Sequence, residues 1–94
     1  MSVTLIGGMD RLKQEYVGVA RKGGHDLKCI SRNEHNFADR LGNPDAIIVF
    51  TNRVSHEARR KAQEHARCRD IPLRFLHSCG LSSLRQCLDS FADA

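Results

Sequence analysis

Five histidines and four cysteines in 94 residues are the side chains of this sequence best suited to chemistry. Three of the histidines (His35, His56 and His77) and one cysteine (Cys79) follow short apolar runs, and Cys29 lies inside one. Neutral imidazole and thiolate are transition-metal ligands, and a histidine beside a helix N-terminus is kept neutral by the positive end of the helix dipole. Metal ligands are therefore expected among His77, Cys79, His56, His35 and Cys29. A zinc-like ion needs three or four of them in tetrahedral reach, whereas haem needs only one or two axial ligands in an apolar slot, so haem is the easier group to satisfy. No Cys-x-x-Cys or Cys-x-x-Cys-His occurs, which disfavours an iron–sulfur ladder, a thioredoxin-type pair and covalently attached haem. Singly, each histidine reads better as a surface or capping residue; the convergence of His35, His56, His77 and Cys79 on one edge brings the ligand reading level with it. His65 and Cys68, one helical turn apart, read as part of a solvated face.

A second chemistry is anion binding. The turn Gly7-Gly8-Met9-Asp10-Arg11 follows an apolar run and precedes a helical pattern. Glycine lets backbone N–H groups approach a phosphate, and a following helix N-terminus adds a favourable dipole. The turn is neither a Gly-x-Gly-x-x-Gly fingerprint nor a Walker loop, and a plain tight turn capped by Asp10 explains it as well. A third chemistry is nucleophilic. Cys79-Gly-Leu-Ser-Ser-Leu-Arg85 has the Cys-x5-Arg spacing of thiol phosphatases, where a helix N-terminus lowers the thiol pKa. Leu81, Leu84 and Leu88 must turn inward together, which leaves Arg85 one turn into the helix, and no acid loop with an Asp accompanies it. The expectation is accordingly a binding domain and not an enzyme.

These residues need elements to position them. Val3–Ile6, Asp26–Ile30, Ala46–Phe50 and Pro72–Leu76 read as strands, the third apolar without alternation, as a central strand of a parallel sheet is. Helical patterns follow each strand: Leu12, Tyr16 and Val19; Phe37, Ala38 and Leu41; Ala58, Ala62 and Ala66 after an N-cap at Ser55; and Leu81, Leu84, Leu88 and Phe91. Gly23-Gly24 and Gly42-Asn43-Pro44-Asp45 are turns by their chemistry. The expected fold is α/β, a single three-layer α/β/α domain over residues 1–94 with four parallel strands, (βα)4, in the order 2-1-3-4.

In such a sheet ligands bind beyond the carboxyl ends of the strands. The ligand residues expected there are Gly7, Gly8, Asp10 and Arg11 after the first strand, and Thr51, Asn52 and Ser55 after the third. Ser78, Gly80, Ser82 and Ser83 follow the fourth. His25, His65 and Cys68 fall at the other edge.

Composition bounds the rest. Apolar residues make up 40% and charged residues 28%, an ordinary globular balance. The net charge of +4 is mildly basic; acidic residues interrupt Arg59, Arg60, Lys61, Arg67 and Arg69, and aromatics are few, so nucleic acid is not the expected partner. No run is long enough to span a membrane and no basic leader precedes the first apolar stretch, so a cytoplasmic location is expected. A sheet this small leaves an edge strand that pairing would cover, so a homodimer is expected.

Three segments carry a resemblance: Ile6-Gly7-Gly8-Met9-Asp10-Arg11, Thr51 to His56, and Ser78 to Leu84. Together they resemble a family of short bacterial domains of unknown function with a Rossmann-like or flavodoxin-like (βα)4 fold, along nearly the whole chain. The resemblance implies the fold and the binding edge, and haem- or metal-associated dimers among some members. That pattern commonly has Ser or Thr where Cys79 stands here. The functional expectation is a small sensor or cofactor-binding domain holding haem or a transition metal, with a phosphate- or nucleotide-binding domain and a thiol phosphatase as alternatives.

Overall fold

Ala46–Phe50, the most apolar run of the chain, forms strand β3 with all of its residues buried. Around it lie β1 (Ser2–Ile6), β2 (Asp26–Ile30) and β4 (Leu73–Leu76). The structure, a computed structural model, describes residues 1–30, 41–51, 54–77 and 80–92. The four strands form one parallel sheet in the order β2-β1-β3-β4, as expected from the sequence. The helices are α1 (Lys13–Lys22), α2 (His56–Arg69) and α3 (Leu81–Ala92). The helix expected around Phe37 and Ala38 falls on residues outside those described.

Successive residues of a strand face opposite sides of a sheet, so the core is split in two. Val3, Leu5, Ala46, Ile48 and Phe50 meet Tyr16 and Ala20 of α1 and Leu84, Cys87 and Leu88 of α3. On the other face Ile6, Ile30, Ile47 and Val49 meet Ala62 and Ala66 of α2 and Leu41. This is the three-layer arrangement. The accessible surface of 5879 Å² is close to the roughly 5,500 Å² that a folded monomer of this mass exposes. Truncating one of the fully buried β3 residues, as in Ile48→Ala, costs about 2–5 kcal/mol through lost burial and an unfilled cavity.

Local chemistry sets the ends of α2. Ser55 is extended at the N-cap and its hydroxyl accepts from the Ala58 N–H at 3.1 Å, which satisfies one of the otherwise unpaired first-turn donors. Asp70 ends the helix in the left-handed region (φ 56°), a conformation glycine adopts at less cost. The alanine stripe Ala58, Ala62 and Ala66 lets the helix lie close to the sheet. His65 Nε2 donates to the Gly42 carbonyl at 2.6 Å and Arg69 donates to Asn43 Oδ1 at 2.9 Å, so the last turns of α2 hold the turn that leads into β3. Asp45 closes that turn on β1: its carboxylate accepts from the Ser2 N–H and its own N–H donates to the Ser2 carbonyl. His65 is thus a structural staple, where its sequence position read as a solvated face. No helix among the described residues is long and apolar enough to cross a membrane.

Candidate functional site

Among the described residues, a concavity opens at the carboxyl edge of the sheet on each face. The first lies under the turn after β1. Its glycines have steric work to do. Gly7 has a positive φ of 85°, and a Cβ there would collide with the Val54 side chain. A Cβ on Gly8 would lie 2.7 Å from Cε2 of Tyr16. The Tyr16 ring is buried, tilted against Phe50 at 5.6 Å between centroids, and its hydroxyl accepts from the Met9 N–H at 3.3 Å. The backbone donor that a phosphate cradle would present is therefore already used.

The hollow left beneath the turn, lined by Gly8, Met9, Asp10, Lys13, Tyr16, Cys29 and Ile30, is small, about 30 Å³. The α-helix also begins later than expected. Asp10–Leu12 forms a 3-10 turn without a side-chain cap, and α1 starts at Lys13. Asp10 and Arg11 are exposed on that turn.

The second concavity is open, about 430 Å³, and lies between α2 and β4. It is lined by Thr51, His56, Arg59, Gln63, Phe75 and His77. The Phe75 ring is one of the few large apolar side chains left exposed, at 41%. Guanidinium only donates, so Arg59 Nη2, 2.7 Å from His56 Nδ1, meets that nitrogen as an acceptor and leaves the His56 ring proton on Nε2. Thr51 Oγ1 lies 3.3 Å from the Leu76 carbonyl and 3.5 Å from His77 Nδ1, with one proton to serve either. His56 is a donor to a ligand, and His77 brings a second imidazole to the same space.

The remaining expected residues are dispersed. Cys29 is on β2, at the far end of the sheet from β4, in the small space under the first turn. Burial raises its thiol pKa, and Lys13 offsets part of the rise. It does not join His56 and His77. Ser82 and Ser83 open α3 on the opposite face of the sheet from the groove, and Gly80 precedes them. Arg85 is exposed and lines a groove with Val19, Lys22, Gly23 and His25 at the other edge, away from the loop that follows β4. His35, Asn52, Ser78 and Cys79 lie outside the described residues. Among the described residues, no group of three or more His, Cys, Asp or Glu side chains is placed to hold a metal ion.

Sequence reasoning missed Arg59, Gln63 and Phe75 as lining residues. Their signal was present in the spacing: His56, Arg59, Arg60 and Gln63 recur at helical steps, and Phe75 sits in the strand with a charged neighbour at Arg74.

A four-stranded parallel sheet with helices on both faces defines a Rossmann-like α/β domain. Two de novo designed Rossmann fold proteins are similar to it over 98% and 99% of this chain and 97% of each of theirs, with TM-scores of 0.62 and 0.60. At 17% and 15% sequence identity they share the fold alone. The family model for an uncharacterized protein conserved in bacteria (DUF2325) matches residues 2–91, and the chain belongs to that family. None of the curated proteins matches.

Proposed function

We propose that this domain is a ligand-binding module and that its ligand is haem, seated in the groove between α2 and β4, where His77 would hold the iron. The observation that carries the reading is that His77 and the exposed Phe75 ring line one open groove at the carboxyl edge of the sheet, with His77 Nδ1 3.5 Å from Thr51 Oγ1. Phe75 beside it offers an apolar wall, and Arg59 and Arg60 supply cations for two propionates. A groove of about 430 Å³ lies within the roughly 300–1,000 Å³ usual for small-molecule sites. When bound, haem supplies an iron centre for gas binding or electron exchange. A transition-metal ion held by several protein ligands has less support, because His56 has its Nδ1 lone pair committed to Arg59 and Cys29 is at the far end of the sheet. The cytoplasm, where Cys29, Cys68 and Cys87 stay as free thiols, is the compartment this reading fits.

Haem titration followed by absorbance is the test. A Soret band that is lost in His77→Ala and kept in Cys29→Ala is expected; no band at stoichiometric haem overturns the proposal. A second reading, a phosphate-bearing ligand, is favoured by His56, whose Nε2–H joins Arg59 as a donor. Thermal stabilisation by phosphorylated compounds, lost in Arg59→Ala and unaffected by His77→Ala, would establish that reading instead.

A further inference from the structure

We propose that the outer edge of β4, unpaired among the described residues, accepts an extended acidic peptide of a protein partner as a fifth strand. This goes beyond the ligand reading, and because the added strand would cover Phe75 and Arg59, the peptide and a small molecule compete for one groove. The edge is set by register. The carbonyls of Pro72 and Leu76 accept from the N–H groups of Ile47 and Thr51, so residues 72, 74 and 76 turn their peptide groups toward β3. Leu73 and Phe75 therefore direct N–H and C=O away from the sheet.

The two edges of the sheet are unlike. On β2 the exposed residues are Asp26 and Lys28, charges of the kind that discourage edge pairing. On β4 the charge of Arg74 is drawn to the other face, 5.1 Å above the Phe91 ring. Phe75 is left exposed beside a half-buried Leu73.

What would lie over that edge is indicated by the surface beside it. The Phe75 groove continues along α2 into a second hollow of about 440 Å³ lined by Gln63, Ala66, Arg67, Ile71 and Leu73. Gln63 belongs to both. The floor of the combined trough is apolar and its helical wall carries Arg59 and Arg67, with Arg60 next to them. The helix also carries two acidic residues, Glu57 and Glu64, against the three arginines; Glu57 is engaged by Lys61 at 3.4 Å. A strand about 4.8 Å beyond β4 would lay alternate side chains on this face. Apolar ones would meet Leu73 and Phe75, and carboxylates would reach the arginines. Antiparallel pairing with a second copy through the same edge would instead set two such arginine walls side by side in a chain of net charge +4, which disfavours the homodimer at this surface.

The test is fluorescence anisotropy with a labelled peptide of about eight residues alternating Glu and Val, a length suited to a strand of this size. Saturable binding is expected, at least tenfold weaker in Arg67→Glu and unchanged in Lys28→Glu. The same peptide N-methylated at the residues facing β4 should lose at least tenfold, without any change to the protein. Phe75→Pro, which removes an outward N–H and leaves the bonds to β3 in place, should do the same. Equal binding of the N-methylated peptide overturns strand addition. Two further results overturn the acidic-peptide assignment: tighter binding of a single-stranded oligonucleotide, or a concentration-dependent dimer by sedimentation that Phe75→Pro abolishes.

Discussion

The turn after β1 and the groove after β4 lie on the same edge of the same sheet, yet one is filled and the other open. At the turn, two glycines admit the Tyr16 ring and the Val54 side chain, and only a hollow of about 30 Å³ remains. At the groove, an edge strand and a helix of alanines and arginines leave about 430 Å³ and two imidazoles that face it. The residues that look most like a binding motif in the sequence are consumed by packing. Those that look like ordinary strand and helix surface bound the open space.

The sharpest way to break this contrast is at the glycines. Gly8→Ala, and Gly7→Ala with its positive φ, should each destabilise the domain by about 2–4 kcal/mol in urea unfolding, the scale of overpacking plus backbone strain. In Gly8→Ala the effect should shrink when Tyr16 is also replaced by Leu, because the clash is with the ring. Wild-type stability in Gly8→Ala would return the turn to the role of a cradle.

Tyr16→Phe removes the acceptor of the Met9 N–H and should cost about 1 kcal/mol. Alkaline pH probes the same core through its thiols. Burial raises the pKa of both Cys29 and Cys87, with Lys13 and Arg74 offsetting part of the rise. A raised folded pKa means that the unfolded state loses protons first. Stability is thus full below about pH 8.5 and declines as pH rises through the unfolded and then the folded values. The urea midpoint should fall over that range, and the Cys29→Ala/Cys87→Ala double variant should flatten the slope. The smallest effects belong to the groove. Phe75→Ala and His77→Ala should stay within about 0.5 kcal/mol of wild type, since neither side chain supports the core.

The architecture was legible because its signals are local and redundant. Ala46–Phe50 could only be central, Ser55 could only cap, and the Ala58, Ala62 and Ala66 stripe and the leucines of the last helix fixed which faces turn inward. The start of α1 was not legible, because Asp10–Leu12 keeps helical sign while winding more tightly. Thr51, His56 and His77, placed on one edge from the sequence, do line one concavity. Which residues share a concavity depends on the sheet order and on the face each strand end presents. A sequence reader who places Cys29 and His77 on one edge cannot see that the whole width of the sheet separates them. The imidazoles' contacts with Arg59 and Thr51 involve neighbours that periodicity alone does not assign to them.

Tyr16 also makes the molecule its own optical instrument. The chain has one tyrosine, no tryptophan and four phenylalanines, so with excitation to the red of phenylalanine absorption the intrinsic emission arises from the ring that plugs the first turn. Lifetime and quencher access then report the opening of that turn without a label. A haem seated beside Phe75 would quench the same emission by energy transfer, so a single cuvette can follow the closed corner and the open one together.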